Sequence, residues 1–164
     1  MKVTHRNLVT EPARQLFGLP YEKQEHGSYN YAWLDWETTD KFKQLETINK
    51  PLDPAKIGLL VIDGDETTYW IGKWFRKGQK VPEGFQAIAV PESSAAVAWV
   101  NGNPDTGDLF GQRAMETAHQ ELVTRHMMTE DDWTNLKYVY ERYDPQRFQP
   151  EENPTTLDYI FYVK

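Results

Sequence analysis

The sequence predicts an α+β fold built from two βαββ modules in tandem. Three observations carry that expectation. The order strand, strand, helix, strand, strand occurs twice along the chain; Gly27 and Gly102 each stand between a strand and a helix; and the aromatic segments Thr68-Tyr69-Trp70-Ile71 and Asp158-Tyr159-Ile160-Phe161 each close a half. The chain reads as one domain over 1–164, with pseudo-repeats at about 1–78 and 82–164. Such a unit buries its helices on one sheet face and leaves the other face for a cleft at the junction.

Each element has a local reason. Residues 2–9 alternate as a strand does, and Glu11-Pro12 interrupts them because proline cannot donate to a ladder. Gln15 to Tyr21 is a second extended piece. Ser28 then offers an N-cap to a helix running to about Thr47, with Tyr29, Trp33 and Trp36 at helical spacing and Asn49-Lys50-Pro51 as its stop. Ile57–Ile62 and Thr67–Phe75 flank the turn Asp63-Gly64-Asp65 as a hairpin. In the second half Gly84–Val90 and Ala95–Val100 are strands. Asp108 to about His126 is a helix with Phe110, Ala114, Ala118 and Leu122 on one stripe. Leu136–Tyr143 and Leu157–Val163 are the last strands, separated by the polar loop Asp144–Pro154.

Composition narrows the function. The 164 residues carry 18 Lys and Arg against 25 Asp and Glu, a net charge of −7. Duplex nucleic acid and anionic lipid repel such a chain, so neither direct nucleic-acid binding nor membrane binding is expected. Cysteine is absent, which excludes thiol catalysis and fits a cytoplasmic setting. The N-terminal residues lack the apolar core of a signal peptide. No cofactor motif is present. His119 and His126, seven residues apart on a predicted helix, lie roughly 10.5 Å apart along its axis, too far to share a metal ion. The acidic stretch Glu130-Asp131-Asp132 reads as a solvated helix start.

The unusual feature is aromatic content: 6 Trp, 9 Tyr and 7 Phe. Six tryptophans is about three times ordinary usage at this length. A core filled with indoles must satisfy every N–H, whereas an aromatic binding cleft uses the same residues without that burden.

These segments resemble the GyrI-like small-molecule binding domains, also called bacterial transcription activator effector-binding domains. Arg6-Asn7-Leu8 through Glu11-Pro12-Ala13 and Phe17-Gly18-Leu19 resemble the opening strand pair, and Tyr69-Trp70-Ile71-Gly72 resembles a Tyr-Trp-x-Gly segment. Val81-Pro82-Glu83-Gly84-Phe85 is similar to the linker between halves, and Ala96-Val97 with Gly102 to the strand before the second helix. Tyr140-Glu141-Arg142-Tyr143 is similar to the aromatic-Glu-x-Tyr strand, and Asp158–Lys164 to the last strand. The chain departs from the pattern at Tyr162, where proline is usual, at Trp99, where a smaller residue is usual, and in a longer loop Asn101–Asp108. No helix-turn-helix segment is read ahead of the domain, so a standalone member is expected.

The resemblance implies SHS2-like modules with a cleft at their pseudo-two-fold junction, and a partner that is a small hydrophobic or cationic aromatic ligand. A transcription regulator or another protein is the further partner. Read by itself, Glu141 is a strand carboxylate facing solvent or paired with Lys137. By resemblance it lies in the cleft and meets the ligand's cationic part, as a desolvated carboxylate among rings would. The expected ligand-binding residues are Glu141, Tyr69, Trp70, Trp99, Tyr143, Trp33 and Trp36. Strand alternation lets only one of Tyr69 and Trp70 face the cleft. Trp33 and Trp36 serve equally as core packing, and alanines beside Trp99 (Ala95, Ala96, Ala98) would leave room for a guest. Some GyrI-like members hydrolyse cyclopropane-bearing, DNA-alkylating compounds. In that alternative the catalytic residues are Glu141, activating water, and Tyr69, bonding the substrate carbonyl. A protein-interaction module is the third reading.

Overall fold

A computed structural model describes residues 1–22 and 28–164. Gly27, one of the two glycines in the repeat, and His26 lie outside the described residues. The elements are β1 (Lys2–Glu11), β2 (Arg14–Tyr21), α1 (Asn30–Thr38), α2 (Lys41–Leu45), β3 (Lys56–Asp63), β4 (Glu66–Arg76), β5 (Gln86–Val90), β6 (Ser93–Gly102), α3 (Gln112–Thr124), α4 (Glu130–Thr134), β7 (Tyr138–Tyr143) and β8 (Thr155–Val163). The eight strands pair antiparallel wherever their register is given. No described helix is long and apolar enough to cross a membrane.

The chain forms two compact units, Met1–Glu11 with Ser93–Lys164, and Pro12–Glu92. This division follows strand pairing. β1 pairs with β6, and β5 pairs with β2, so each unit takes one outer strand from across the chain's midpoint. Strand order is β1-β6-β8-β7 in the first unit and β3-β4-β2-β5 in the second.

In the first unit α3 packs on β6 and β1. Ala114, Ala118 and Leu122 recur at i, i+4 and i+8 and are fully buried. They meet the face carrying Ala96, Ala98, Tyr159 and Phe161, where small residues on β6 stand opposite large ones on β8. The predicted helix from Asp108 begins only at Gln112, because Gly111 adopts φ +90° and turns the chain. Phe110 is thereby taken off the helical stripe. The helix ends in a Schellman motif: Met127 N–H bonds the Leu122 carbonyl at 2.9 Å, His126 N–H bonds that of Val123 at 3.0 Å, and His126 is left-handed at φ 58°. α4 has a capping box between Thr129 and Asp132. Asp132 is buried there and also accepts Lys164 N–H at 3.0 Å, so only the first two members of the acidic stretch are solvated.

In the second unit the long predicted helix is two short ones, broken at Thr39-Asp40. Ser28 does not cap it; its hydroxyl accepts Asn30 N–H at 3.0 Å, and Tyr29 is the N-cap residue without a side-chain bond. A core of Phe17, Ala32, Trp36, Phe42, Leu45, Tyr69, Ile71 and Phe75 lies between the helices and the strands. Gly18 and Gly72 face each other across β2 and β4. A Cβ on Gly72 would lie 1.9 Å from the Phe17 carbonyl oxygen, and one on Gly18 would lie 1.9 Å from that of Ile71.

The face away from the helices is not left free, as the sequence suggested. Leu16, Ile57, Leu59 and Trp74 in the second unit are fully buried, and so is Ala95 in the first, where Ile160 and Tyr162 are nearly so. The first unit also carries a buried ion network on this face. Asp158 and Asp144 are bridged by Arg142 (3.2 and 2.6 Å) and by Arg147, which is 3.2 Å from Asp144 and donates two hydrogen bonds to Asp158. Burial tends to raise the Asp144 carboxyl, but the hydrogen bonds from Arg142 and from Gln146 N–H, with both guanidinium charges, outweigh it and hold its pKa below the usual value.

Three stability outcomes follow from this packing. Gly72→Ala forces β2 and β4 apart and should cost about 3 kcal/mol or more, whereas Gly102→Ala, whose Cβ would meet only side chains at 3.5 Å and beyond, should change stability by about 0.5 kcal/mol; urea unfolding checks both. Asp158→Asn removes the buried carboxylate charge that Arg142 and Arg147 share and should cost about 3 kcal/mol in the same assay. Because Asp144 is more acidic folded than unfolded, its contribution is complete above about pH 4 and is lost as pH falls below that. Asp144→Asn should therefore flatten the acid limb of a stability-versus-pH curve.

Candidate ligand-binding site

Alternation along β7 and its register with β8 decide where the chemistry-bearing side chains go. Glu141 stands opposite Tyr159 and Arg142 opposite Asp158. Glu141 therefore shares the helix-side face with Tyr159 and Tyr143, while Arg142 joins the ion network on the other face. Glu141 is half-buried. Tyr159 is fully buried, and its hydroxyl accepts Gly111 N–H at 3.2 Å. Two acceptors lie in reach of its proton, the Leu109 carbonyl at 2.7 Å and the Glu141 carboxylate. Burial first, and the negative charge of Glu141 second, hold the Tyr159 phenol well above its ordinary pKa, so it remains a donor at any physiological pH.

Around Tyr143, two residues on from Glu141, the first unit gathers further rings. Tyr143 meets Phe148 edge-on, with centroids 4.9 Å apart at 86°. Phe110 lies 6.5 Å from Tyr143 with planes 18° apart, and 6.0 Å from Phe148 at 76°. The turn after β7 sets Phe148: its N–H bonds the Asp144 carbonyl at 2.7 Å, while Asp144 also accepts Gln146 N–H at 2.7 Å. The preceding residue, Arg147, goes to the opposite face and lies 3.8 Å over the Trp99 ring.

In the second unit Tyr69 faces α1. Its hydroxyl accepts Trp33 Nε1–H at 2.9 Å, and Tyr29 stacks on it at 4.3 Å. Trp33 is half-buried. Trp36 is 1% exposed, packs on Phe42 and donates its Nε1–H to the Tyr21 hydroxyl at 2.6 Å. Burial raises the pKa of both Tyr21 and Tyr29.

The structure thus separates the residues singled out from sequence. It brings Glu141 and Tyr143 together, and it brings Tyr69 and Trp33 together in the other unit. Of Tyr69 and Trp70 it turns Tyr69 to the helix side, while Trp70, 8% exposed, faces the other way with Trp74. Trp99 lies on the opposite face from Glu141, between His5 at 4.3 Å and Arg147. The alanines beside it, Ala95, Ala96 and Ala98, are all fully buried. Trp36 is core. Sequence reasoning missed Tyr29, Phe110, Phe148 and Tyr159. Gly111 after Phe110 was the one available signal; the others depend on cross-strand register or on the Asp144 turn.

His119 is not available as a metal ligand in the way an isolated histidine would be. Its ring lies flat on Trp133 at 4.1 Å and its Nε2 is 3.1 Å from Glu130. Among the described residues no three His, Asp or Glu side chains are grouped to hold a metal ion. A hollow of about 380 Å³ opens elsewhere in the first unit, lined by Leu8, Thr10, Ser94, His126, Met127 and Lys164. It contains neither Glu141 nor its rings.

No family model matches the chain, and no curated protein matches it. Solved structures do. A Staphylococcus aureus MU50 protein described as a bacterial transcription regulation protein aligns over 98% of both chains, with TM-score 0.65 and 15% identity. SAV2435, solved bound to tetraphenylphosphonium, aligns over 98% of this chain and 94% of its own, with TM-score 0.68 and 14% identity. The C-terminal domain of EcmrR aligns over 100% and 99%, with TM-score 0.59 and 12% identity. At such identities the likeness is one of fold alone: this chain shares the α+β fold of these proteins.

Proposed function

We propose that this protein binds amphipathic aromatic small molecules, cationic ones among them, and that Glu141 with its neighbouring rings holds them. One observation carries the reading: a half-buried carboxylate sits on the same sheet face as Tyr143 and Tyr159, and Phe110 and Phe148 gather at Tyr143. Partial burial strips water from the carboxylate, so a cation or a proton donor gains more there than at the surface. Each ring adds apolar contact and, for a cation over its face, about 0.5–2 kcal/mol. Tyr69 and Trp33 offer the same combination of ring and hydrogen-bonding edge, and we assign them to binding as well. Trp36, Trp70 and Trp99 serve packing. That SAV2435, of the same fold, is solved with tetraphenylphosphonium supports this ligand class. A sequestering or sensing role toward cations agrees with the chain's −7 charge.

Titration with tetraphenylphosphonium, followed by calorimetry, tests the reading. The wild type should bind, and Glu141→Gln should weaken binding about tenfold with little change in thermal stability. Absence of binding to the wild type, or equal binding by Glu141→Gln, would sink it. Turnover is a separate outcome. If a cyclopropane-bearing alkylating compound gives a hydrolysed product by mass spectrometry that disappears with Glu141→Gln, the hydrolase reading replaces simple capture.

A further inference from the structure

The hollow of about 380 Å³ in the first unit lies where the sheet face runs on past the end of α3. On β1, Arg6, Leu8 and Thr10 alternate onto the helix-side face, opposite Ala98, Ala96 and Ser94 of β6. Ser94 stands in turn opposite Val163 of β8. Arg6 ties β1 to α3 through Glu121 at 3.2 Å. The helix stops at Thr124, and the chain turns at His126 toward α4. Leu8, one step past the Arg6 tie on β1, is left 53% exposed. Met127 and Met128, which follow the turn, line the hollow with it. The volume falls at the lower end of the roughly 300–1,000 Å³ usual for small-molecule sites, so a small guest is called for.

The lining selects the guest. Its apolar part is aliphatic or thioether, from Leu8, Val9, Met127, Met128 and Val163, with no Phe, Tyr or Trp. Such walls suit an alkyl chain, and methionine adapts its shape to one. The charge comes from Asp132, which is buried. Its Oδ1 accepts Lys164 N–H and its Oδ2 accepts Thr129 N–H, both at 3.0 Å. A carboxylate with two such bonds still has lone pairs to offer. Burial tends to raise the Asp132 carboxyl, but the N–H groups of Lys164 and Thr129 and the Thr129 hydroxyl outweigh it and hold it below its ordinary pKa. The C-terminal end of the 13-residue α3 adds negative partial charge at the same place. Lys164 also lines the hollow, but its side chain is 76% exposed and its Nζ lies 3.6 Å from Asp131, which answers its charge.

A second observation points to a ligand. His126 holds φ 58° at the position of the Schellman turn where glycine is usual, the only left-handed residue other than glycine among the described residues. A side chain there strains the backbone, and such strain gathers where a side chain has a function. The His126 imidazole lines the hollow, where a ring nitrogen can accept a hydrogen bond. We propose that this hollow binds a small aliphatic ammonium ion, its alkyl chain against Leu8, Met128 and Val163 and its charged head toward Asp132 and His126. The site is separate from the rings at Tyr143 and does not depend on Glu141.

Methionine methyl groups labelled with carbon-13 report on the site directly, because Met127 and Met128 line the hollow while Met1 and Met115 do not. Titration of the full chain with hexylammonium at pH 8, followed by methyl NMR, should move the Met127 and Met128 signals saturably and leave the other two in place. Hexanol and hexanoate carry the same chain with a neutral or negative head and should bind about tenfold more weakly. Leu8→Lys sets a cation at an exposed position of the hollow; it should abolish the titration shifts while the thermal midpoint stays within about 2 °C of the wild type. His126→Gly relieves the left-handed strain, so it should raise the thermal midpoint by about 2 °C yet weaken hexylammonium about tenfold. The proposal is overturned if hexylammonium leaves Met127 and Met128 unmoved, or if it shifts all four methyls alike. It is equally overturned if hexanol or hexanoate binds as tightly as the ammonium, or if Leu8→Lys and His126→Gly both keep wild-type affinity.

Discussion

The register in which β7 pairs with β8 organises the first unit. It sets Glu141 opposite Tyr159 and turns both to the helix-side face. A shift of one residue would send Glu141 to the other face and bring Arg142 among the rings. The other face enforces the register from its own side, because Arg142 then stands opposite Asp158 and completes the network with Asp144 and Arg147. A buried aspartate without its guanidinium partners is far costlier than any one surface pair. The ion network therefore works as a register lock from the opposite face, and through Asp144 it also holds the turn that carries Phe148.

Tyr159 has a second role. Its oxygen accepts from Gly111 and its proton is in reach of the Leu109 carbonyl, so it ties the start of α3 to the sheet. The loop that presents Phe110 is thus anchored at the residue next to it. Fold stability and the position of Phe110 share one phenol, and burial keeps that phenol protonated. The polar atoms of the site are held by strands, while its most exposed ring is held by a glycine-bounded turn.

The second unit solves the tryptophan problem differently. Trp33 and Trp36 each give their N–H to a tyrosine hydroxyl, Tyr69 and Tyr21. Much of the aromatic excess is therefore self-satisfying structure. Indoles and phenols pair where a smaller core would use leucine, and the amphipathic edges that result are the same ones a ligand site would use.

All eight strands, their approximate limits and the α+β class were legible in the sequence, because period-2 patterning and turn residues act locally. The repeated order of elements was legible for the same reason. The chain also marked Glu141 as unusual, a carboxylate inside an aromatic strand. Tertiary structure alone decided the rest. Exchange of β1 and β5 between units, the opposite faces of Glu141 and Trp99, and the choice of Tyr69 over Trp70 all follow from cross-strand register, which joins residues far apart in the chain. Phe110 and Phe148 come to Tyr143 through two turns whose direction is set by a positive φ at Gly111 and by hydrogen bonds to Asp144. A sequence states which side chains are apolar or charged; only long-range backbone pairing determines which of them meet.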